Sequence, residues 1–386
     1  MLDFSASTEN LKKALSVVAL ATSDVTSTIR SHTLFKINND KEGVVLYSTD
    51  EDKIAQSYFT LSSIQDETDC TEFTADPKRI LALIADSDSD EISFNYNSEE
   101  KTLKVYASDN NEAFISYASF DPKDFLNFDL TEQKQNGVID SSVFQKGIKY
   151  IQGFLPKDNK NKKYSNIYIE AGVIYGSNGY NRIGAFKSSD LDEIPEIALR
   201  KQMLSSIVKM IEKTKIPSVI LKSSNKYVTF SSEDGSYCFG FRHSVVKKPK
   251  LPIDTVIPES GGFKVNPSAL LKKLKRLSLS SWEDLTVRTL YGEDNILKME
   301  TLSDRPSHEA LKCERLSGDE KFNFLMECAN FETVLNLFQT SEVLFFIKKS
   351  RCTIYSIADI IIEEKDKEPL KKRVITVAVL TLMREV

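Results

Sequence analysis

Side chains able to carry catalysis are sparse in this chain of 386 residues. Its three histidines, His32, His243 and His308, stand in unrelated contexts, which gives acid–base or triad chemistry little to draw on. The five cysteines, Cys70, Cys238, Cys313, Cys328 and Cys352, form no C-x-x-C pair and have no histidine at ligand spacing. They read as buried or incidental thiols in a reducing compartment, not as a metal or redox centre. No Walker loop, G-x-G-x-x-G, G-x-S-x-G or H-E-x-x-H string is present. A carboxylate-dependent hydrolase would have to use a stretch such as Ser87 to Glu91 (SDSDE), which reads more simply as a solvated turn. The expectation is a non-enzyme without metal or cofactor.

What the spacing does offer is positive charge on helix faces. Lys12, Lys13, Lys78, Arg79, Lys146, Lys149, Arg200, Lys201, Lys209, Lys213, Lys272, Lys273, Lys275 and Arg276 fall in five windows of helical apolar periodicity. The loop from Leu155 to Asn166 (LPKDNKNKKYSN) adds Lys157, Lys160, Lys162 and Lys163. The whole chain nevertheless carries a net charge of -5. Helices arranged on the concave side of an arc would turn those lysines into one positive lining and leave acidic strands outside. Such a lining can hold a phosphate backbone without reading bases, because a lysine point charge has no base-edge geometry.

The elements that must position these lysines recur in one order. Helices are expected at residues 8–21, with Thr8 as N-cap, at 76–87, with Pro77 at the first helical position, and at 141–154, 200–214, 266–281 and 329–339. Strand-like runs separated by turns follow each of them. The helices that open each pass begin near residues 8, 141 and 267, about 130 apart. The predicted class is α+β, with three repeated domains of two helices plus antiparallel sheets at 1–130, 131–255 and 256–386. Linkers are expected at 126–137 and 247–262. No apolar run approaches a membrane span and no leader is evident, so a cytoplasmic protein is expected.

Several strings in this frame resemble the bacterial and phage β sliding clamp, the processivity subunit of replicative DNA polymerase. The segment from Phe73 to Asp129 is similar to the family's second helix, hairpins and closing strand, and ends in DFLNFD where the family has a D-F-P-N-like string. GSNGYNRIGAF (Gly176 to Phe186) resembles T-D-G-H-R-L-A, NPSALLKKLKRL resembles the start of the last clamp domain, and TLMREV resembles the P-M-R-L ending. The likeness spans the full length. It implies a head-to-tail homodimer closing a six-domain ring around duplex DNA, a partner polymerase, an ATP-driven loader supplied by another protein, and other proteins bearing a clamp-binding motif. The alternative is a clamp-like docking or regulatory module that closes no stable ring.

The resemblance also implies residue roles. DNA would meet Lys12, Lys13, Lys78, Arg79, Lys146, Lys149, Lys162, Lys163, Lys201, Lys209, Lys272, Lys273, Lys275 and Arg276. A partner-peptide pocket would use Tyr164, Gly179, Tyr180, Arg182 and Ile183, then Pro252, Val256 and Ile257, and then Thr353, Ile354, Val379, Thr381 and Met383. The dimer interface would use Phe114, Ile115 and Tyr117 on one side and Leu277 and Leu279 on the other. Departures from the family pattern are Tyr180 in place of its histidine, the additional Asn181, a longer segment at 357–373, and serines near Leu277 to Trp282 where apolar residues are common.

Overall fold

The computed structural model describes residues 1–25, 28–38, 40–66, 71–107, 114–126, 128, 130, 133–157, 163–242, 248–279, 286–291, 294–302, 306–316, 321–348, 350–362 and 370–382. Every α-helix among them follows directly on a strand and is followed by at least three more, giving six successive modules. The first is β1 (Leu2–Ser7), α1 (Thr8–Val18), β2 (Thr33–Ile37), β3 (Gly43–Thr49) and β4 (Lys53–Thr60), with a short added strand β5 (Ser63–Asp66). The second is β6 (Glu72–Ala75), α2 (Pro77–Ile84), β7 (Glu91–Asn97), β8 (Thr102–Tyr106) and β9 (Phe114–Ala118). The third is β10 (Lys134–Asp140), α3 (Ser141–Gln152), β11 (Asn166–Glu170), β12 (Val173–Ser177) and β13 (Arg182–Ser188). The fourth is β14 (Ile197–Arg200), α4 (Lys201–Thr214), β15 (Ser218–Ser223), β16 (Tyr227–Ser231) and β17 (Tyr237–Arg242). The fifth is β18 (Gly262–Val265), α5 (Pro267–Ser278), β19 (Thr286–Tyr291), β20 (Ile296–Thr301) and β21 (His308–Lys312), followed by β22 (Glu314–Arg315). The sixth is β23 (Phe322–Glu327), α6 (Cys328–Leu335), β24 (Val343–Lys348), β25 (Arg351–Ile362) and β26 (Leu370–Thr381).

Leading strands are exchanged between neighbouring modules. β1 pairs with β7 and β6 with β2; β10 pairs with β15 and β14 with β11; β18 pairs with β24 and β23 with β19. All of these pairings are antiparallel, and each ties two modules together through backbone hydrogen bonds. The chain divides into two compact units, one of residues 1–141 and 202–244, the other of residues 142–201 and 245–386. The first unit holds a five-stranded sheet, β5-β1-β7-β8-β9, and an eight-stranded sheet, β10-β15-β16-β17-β4-β3-β2-β6. The second holds a nine-stranded sheet, β14-β11-β12-β13-β26-β25-β24-β18-β22, and a four-stranded sheet, β21-β20-β19-β23.

The helices form where apolar spacing and capping agree. Leu11, Leu15 and Val18 of α1 are fully buried, as are Val143, Phe144, Ile148 and Ile151 of α3. Each such side chain contributes about 1.5–3 kcal/mol by leaving water. Asp76 caps α2 by accepting from the Lys78 and Arg79 N–H groups, and Asn266 caps α5 by accepting from the Ala269 N–H at 2.8 Å. Thr8 is not the cap of α1: Ser7 holds that position, and the Thr8 hydroxyl donates to the Ser89 carbonyl at 2.7 Å. A mid-helix glycine costs about 1 kcal/mol against alanine, yet a Cβ at Gly147 of α3 would lie 2.8 Å from Ile174 and 2.9 Å from Phe186, so only glycine lets the helix lie this close to its sheet. The predicted linker at 126–137 contains the start of β10, because its polar residues pair with β15 at a sheet edge where no apolar alternation is required.

His32 is buried in the first unit, with its ring edge-on to Phe120 at 4.6 Å and Nδ1 3.2 Å from the Thr28 carbonyl. Burial lowers its pKa, aided by Arg79 and opposed by the Thr28 and Ala118 carbonyls and by Asp76. The folded state therefore binds the proton less readily than the unfolded chain, whose histidine titrates near about 6.5. This contribution to stability is complete above that value and is lost as pH falls through it towards the lower folded pKa. Urea midpoints at pH 7.5 and pH 5.5 should differ less for His32→Gln than for the unaltered chain; an equal difference would refute the assignment.

Candidate functional site

The predicted basic residues separate by the partners they have. Lys13 pairs with Glu9 at 2.6 Å, Lys78 with Asp24 at 2.8 Å and Arg79 with Asp76 at 3.5 Å. Glu309 takes both Lys273 at 2.6 Å and Arg276 at 3.5 Å. Lys12 donates to the Ala85 carbonyl at 3.2 Å, and Lys201 to that of Pro156. By contrast Lys146 on α3, Lys209 on α4 and Lys272 and Lys275 on α5 are exposed and have no acidic partner among the described residues. Lys149 is exposed on α3, and Lys163 lies over the ring of Tyr164 at 5.6 Å. Lys162 lies outside the described residues. Uncompensated positive charge thus sits on α3, α4 and α5, where an anion could use it.

The predicted peptide-pocket residues gather on one face of the nine-stranded sheet. Ile183, Val379, Thr353 and Phe346 lie opposite one another across β13, β26, β25 and β24. Val379 and Phe346 belong to a buried cluster with Tyr168, Tyr175, Ala185, Tyr355 and Val377. Ile183 and Ile257 pack against that cluster, and so do Leu251 and Ile253, which sequence reasoning missed. A signal for them exists: residues 251, 253, 255 and 257 alternate inward, while Pro252 and Val256 are exposed on the outer side of the same strap. Lys248 fastens the strap through Glu170 at 2.5 Å and Glu196 at 3.3 Å. The Lys248 ammonium, joined by the Tyr175 hydroxyl, holds the Glu170 carboxyl below the usual carboxylate range.

At one end of the row, Gly179 adopts φ 83°, and a Cβ there would lie 2.7 Å from the Tyr164 ring, so the two predicted residues are in direct apposition. The neighbouring Tyr180 is 89% exposed. The Thr381 N–H donates to the Asn181 carbonyl at 3.0 Å, which ties the additional asparagine to the end of β26. Besides Pro252 and Val256 on the outer side of the strap, two predicted members on the sheet do not join. Ile354 is fully buried on the opposite face, because it alternates with Thr353 and Tyr355 along β25. Arg182 likewise alternates with Ile183, and its Nε is buried without a hydrogen-bond partner; burial lowers its pKa, opposed by Glu327. Met383 lies outside the described residues.

The expected oligomer contacts divide similarly. Phe114 and Ile115 of β9 are 46% and 42% exposed, and β9 ends its sheet. Tyr117 is buried and donates to the Arg79 carbonyl at 3.4 Å. Leu277 is 1% exposed in the core beneath α5, a correction to its predicted role, because the apolar face of α5 needs it inward. Leu279, just past the helix, is 87% exposed. The four-stranded sheet ends at β21, which the sequence reading did not single out.

The remaining residues that the sequence offers for chemistry are placed as follows. The hydroxyls of Ser87 and Ser89 donate to the Ala107 and Glu91 carbonyls, as turn residues do. Burial pushes the thiols of Cys238 and Cys328 up to about 12 and that of Cys313 to about 11. Among the described residues no cluster of His, Cys, Asp and Glu could hold a metal ion, and no helix is long and apolar enough to cross a membrane.

No family model matches the chain, and no curated protein matches it in sequence. Solved structures do match. The DNA polymerase III β subunit of Thermotoga maritima is 14% identical, with all of both chains covered and a TM-score of 0.75. The DNA polymerase III β subunit of Pseudomonas aeruginosa is 15% identical, with 99% of this chain and 100% of that one covered and a TM-score of 0.75. The Helicobacter pylori β clamp, solved with a DNA ligase peptide, is 17% identical over 99% of this chain and 100% of its own, with a TM-score of 0.73. With six strand-led helices and exchanged strands among its described residues, the chain has the three-domain fold of the DNA polymerase III β-subunit sliding clamps.

Proposed function

We propose that this protein is a non-catalytic DNA sliding clamp that encircles duplex DNA and tethers a replicative polymerase. The observation that carries the reading is the end-to-end likeness to β-subunit clamps, in which neither chain has an unmatched domain. Taken two by two, the modules would make domains at 1–130, 131–255 and 256–386. The unpartnered lysines Lys146, Lys209, Lys272 and Lys275 would face the phosphates, holding them without preference for sequence. The apolar surface beside the strap, from Ile183 to Tyr180, would be the groove that receives short apolar motifs from polymerase, loader and repair proteins; the H. pylori clamp was solved with a ligase peptide. Its place of work would be the bacterial or phage-infected cytoplasm.

Strand order supports a head-to-tail dimer. Within the chain, modules join through the strands that end them: β17 pairs with β4, and β13 with β26. The two remaining module-ending strands, β9 and β21, each close a sheet and pair on one side only among the described residues. An unpaired edge is a template for another strand, and pairing β9 of one copy with β21 of a second extends the same rule until the ring closes. Sedimentation should give twice the 43.6 kDa chain mass, and the protein, once loaded, should stay on nicked circular DNA and slide off linear DNA. Phe114→Lys with Ile115→Lys should give monomers that retain neither property. A wild-type monomer at micromolar concentration, or equal retention on the two DNAs, would overturn the ring.

A further inference from the structure

On the face of the nine-stranded sheet opposite the strap, α3 and the residues following α6 border a cleft of about 310 Å³. Phe186, Phe338, Ile360 and Val374 give it an apolar lining. Tyr150 of α3 also lines it, with its ring 5.8 Å from that of Phe338. Tyr150 is 7% exposed, and its hydroxyl makes no hydrogen bond of good geometry among the described residues; burial pushes its pKa up, opposed by the nearby Thr376 hydroxyl. The Thr376 hydroxyl itself donates to the Ser356 carbonyl at 3.5 Å. Lys146 and Lys149 line the same cleft and are exposed. Among the described residues Asp359 is the one acidic residue at the cleft.

An apolar, partly aromatic slot with a spare hydroxyl inside and cations at its edge matches a flat heteroaromatic ring that carries an anion. We propose that the cleft receives one unpaired nucleotide, with its base against Tyr150 and Phe338 and its phosphate at Lys146 and Lys149. The volume is at the lower limit of ligand clefts, about 300–1,000 Å³, and suits one nucleotide better than a base pair. Aromatic side chains beside a basic track are how single strands are held without sequence preference. Lys146 and Lys149, both on α3, orient the nucleotide with its backbone towards that helix. The Tyr150 hydroxyl then gains the partner it lacks, from the edge of the base. The proposal rests on DNA running along α3, and it adds that a frayed or single-stranded position can be parked there.

The test uses the full chain and a single-stranded oligodeoxynucleotide carrying one central 2-aminopurine, followed by anisotropy for binding and by emission for unstacking of the base. Emission should rise saturably with binding. Tyr150→Phe, which keeps the ring and leaves the unfolding curve in place, should weaken binding about fivefold, and Lys146→Gln should lower the salt slope by about 0.7. Binding without an emission change, or an unaffected Tyr150→Phe variant, overturns the proposal. So does an acidic apolar peptide whose binding, and not that of the oligonucleotide, is lost in Tyr150→Phe, since the occupant is then a protein segment. Duplex binding measured in parallel separates the two readings: if it is absent, the clamp reading has failed and takes this one with it, whereas duplex binding with silent emission overturns the nucleotide cleft alone.

Discussion

Replacing Lys146, Lys209, Lys272 and Lys275 together by glutamine should weaken binding to a short linear duplex roughly hundredfold or more at low salt and flatten its salt dependence. Each phosphate that a lysine no longer neutralises takes about 0.9 from the slope of log affinity against log salt, so four such phosphates take about 3 to 4. These lysines have no ion-paired carboxylate among the described residues, whereas Lys13, Lys78, Lys273 and Arg276 are already neutralised by Glu9, Asp24 and Glu309. Glutamine at those four changes the net charge by the same amount but should move the slope far less. The comparison therefore separates direct phosphate neutralisation from general electrostatic attraction. All eight residues are on the surface, where an ion pair contributes about 0–1 kcal/mol, so neither variant should unfold. Equal slopes in the two variants would mean that the unpartnered lysines do not face DNA.

That division among the lysines could not be read from helical periodicity. A window such as LKKLKRL places cations on the outer face of α5 correctly, but Glu309, which neutralises Lys273 and Arg276, arrives from β21 in another part of the chain. The helices themselves were legible, because apolar residues at helical spacing coincide with Pro77, Asp76 and Asn266 at their starts. The leading strands were not. β14 and β18 have four residues each, and what defines them is a partner in the adjacent module, which local pattern does not encode. Period-two alternation explains the errors in the groove as well. The family resemblance puts Thr353 and Ile354 in it together, yet consecutive strand residues point to opposite faces, so only one of them can belong. The same alternation at 251–257 adds Leu251 and Ile253 once the strap is read as an extended segment instead of a linker.

The groove yields the second large effect. Ile183→Asp should raise the dissociation constant of a peptide carrying leucine and phenylalanine anchors at least about hundredfold, because a carboxylate would stand beside Val379 in the row that the anchors must cover. Truncating an anchor at the centre of an interface costs about 2 kcal/mol or more, and an unpaired charge against apolar side chains adds its desolvation penalty. Ile183 is only partly buried, so the fold should survive. Ile354→Val is the matched comparison from the opposite face of the same sheet. It removes one methylene from a fully buried position, which should cost about 0.5–1.5 kcal/mol of stability and leave the peptide affinity unchanged. Tyr180→Ala should do the reverse, weakening the peptide without altering the urea midpoint, since a side chain 89% exposed has little packing to lose. If Ile354→Val weakened the peptide as much as Ile183→Asp, binding would be tracking general stability and the strap groove would not be the docking site.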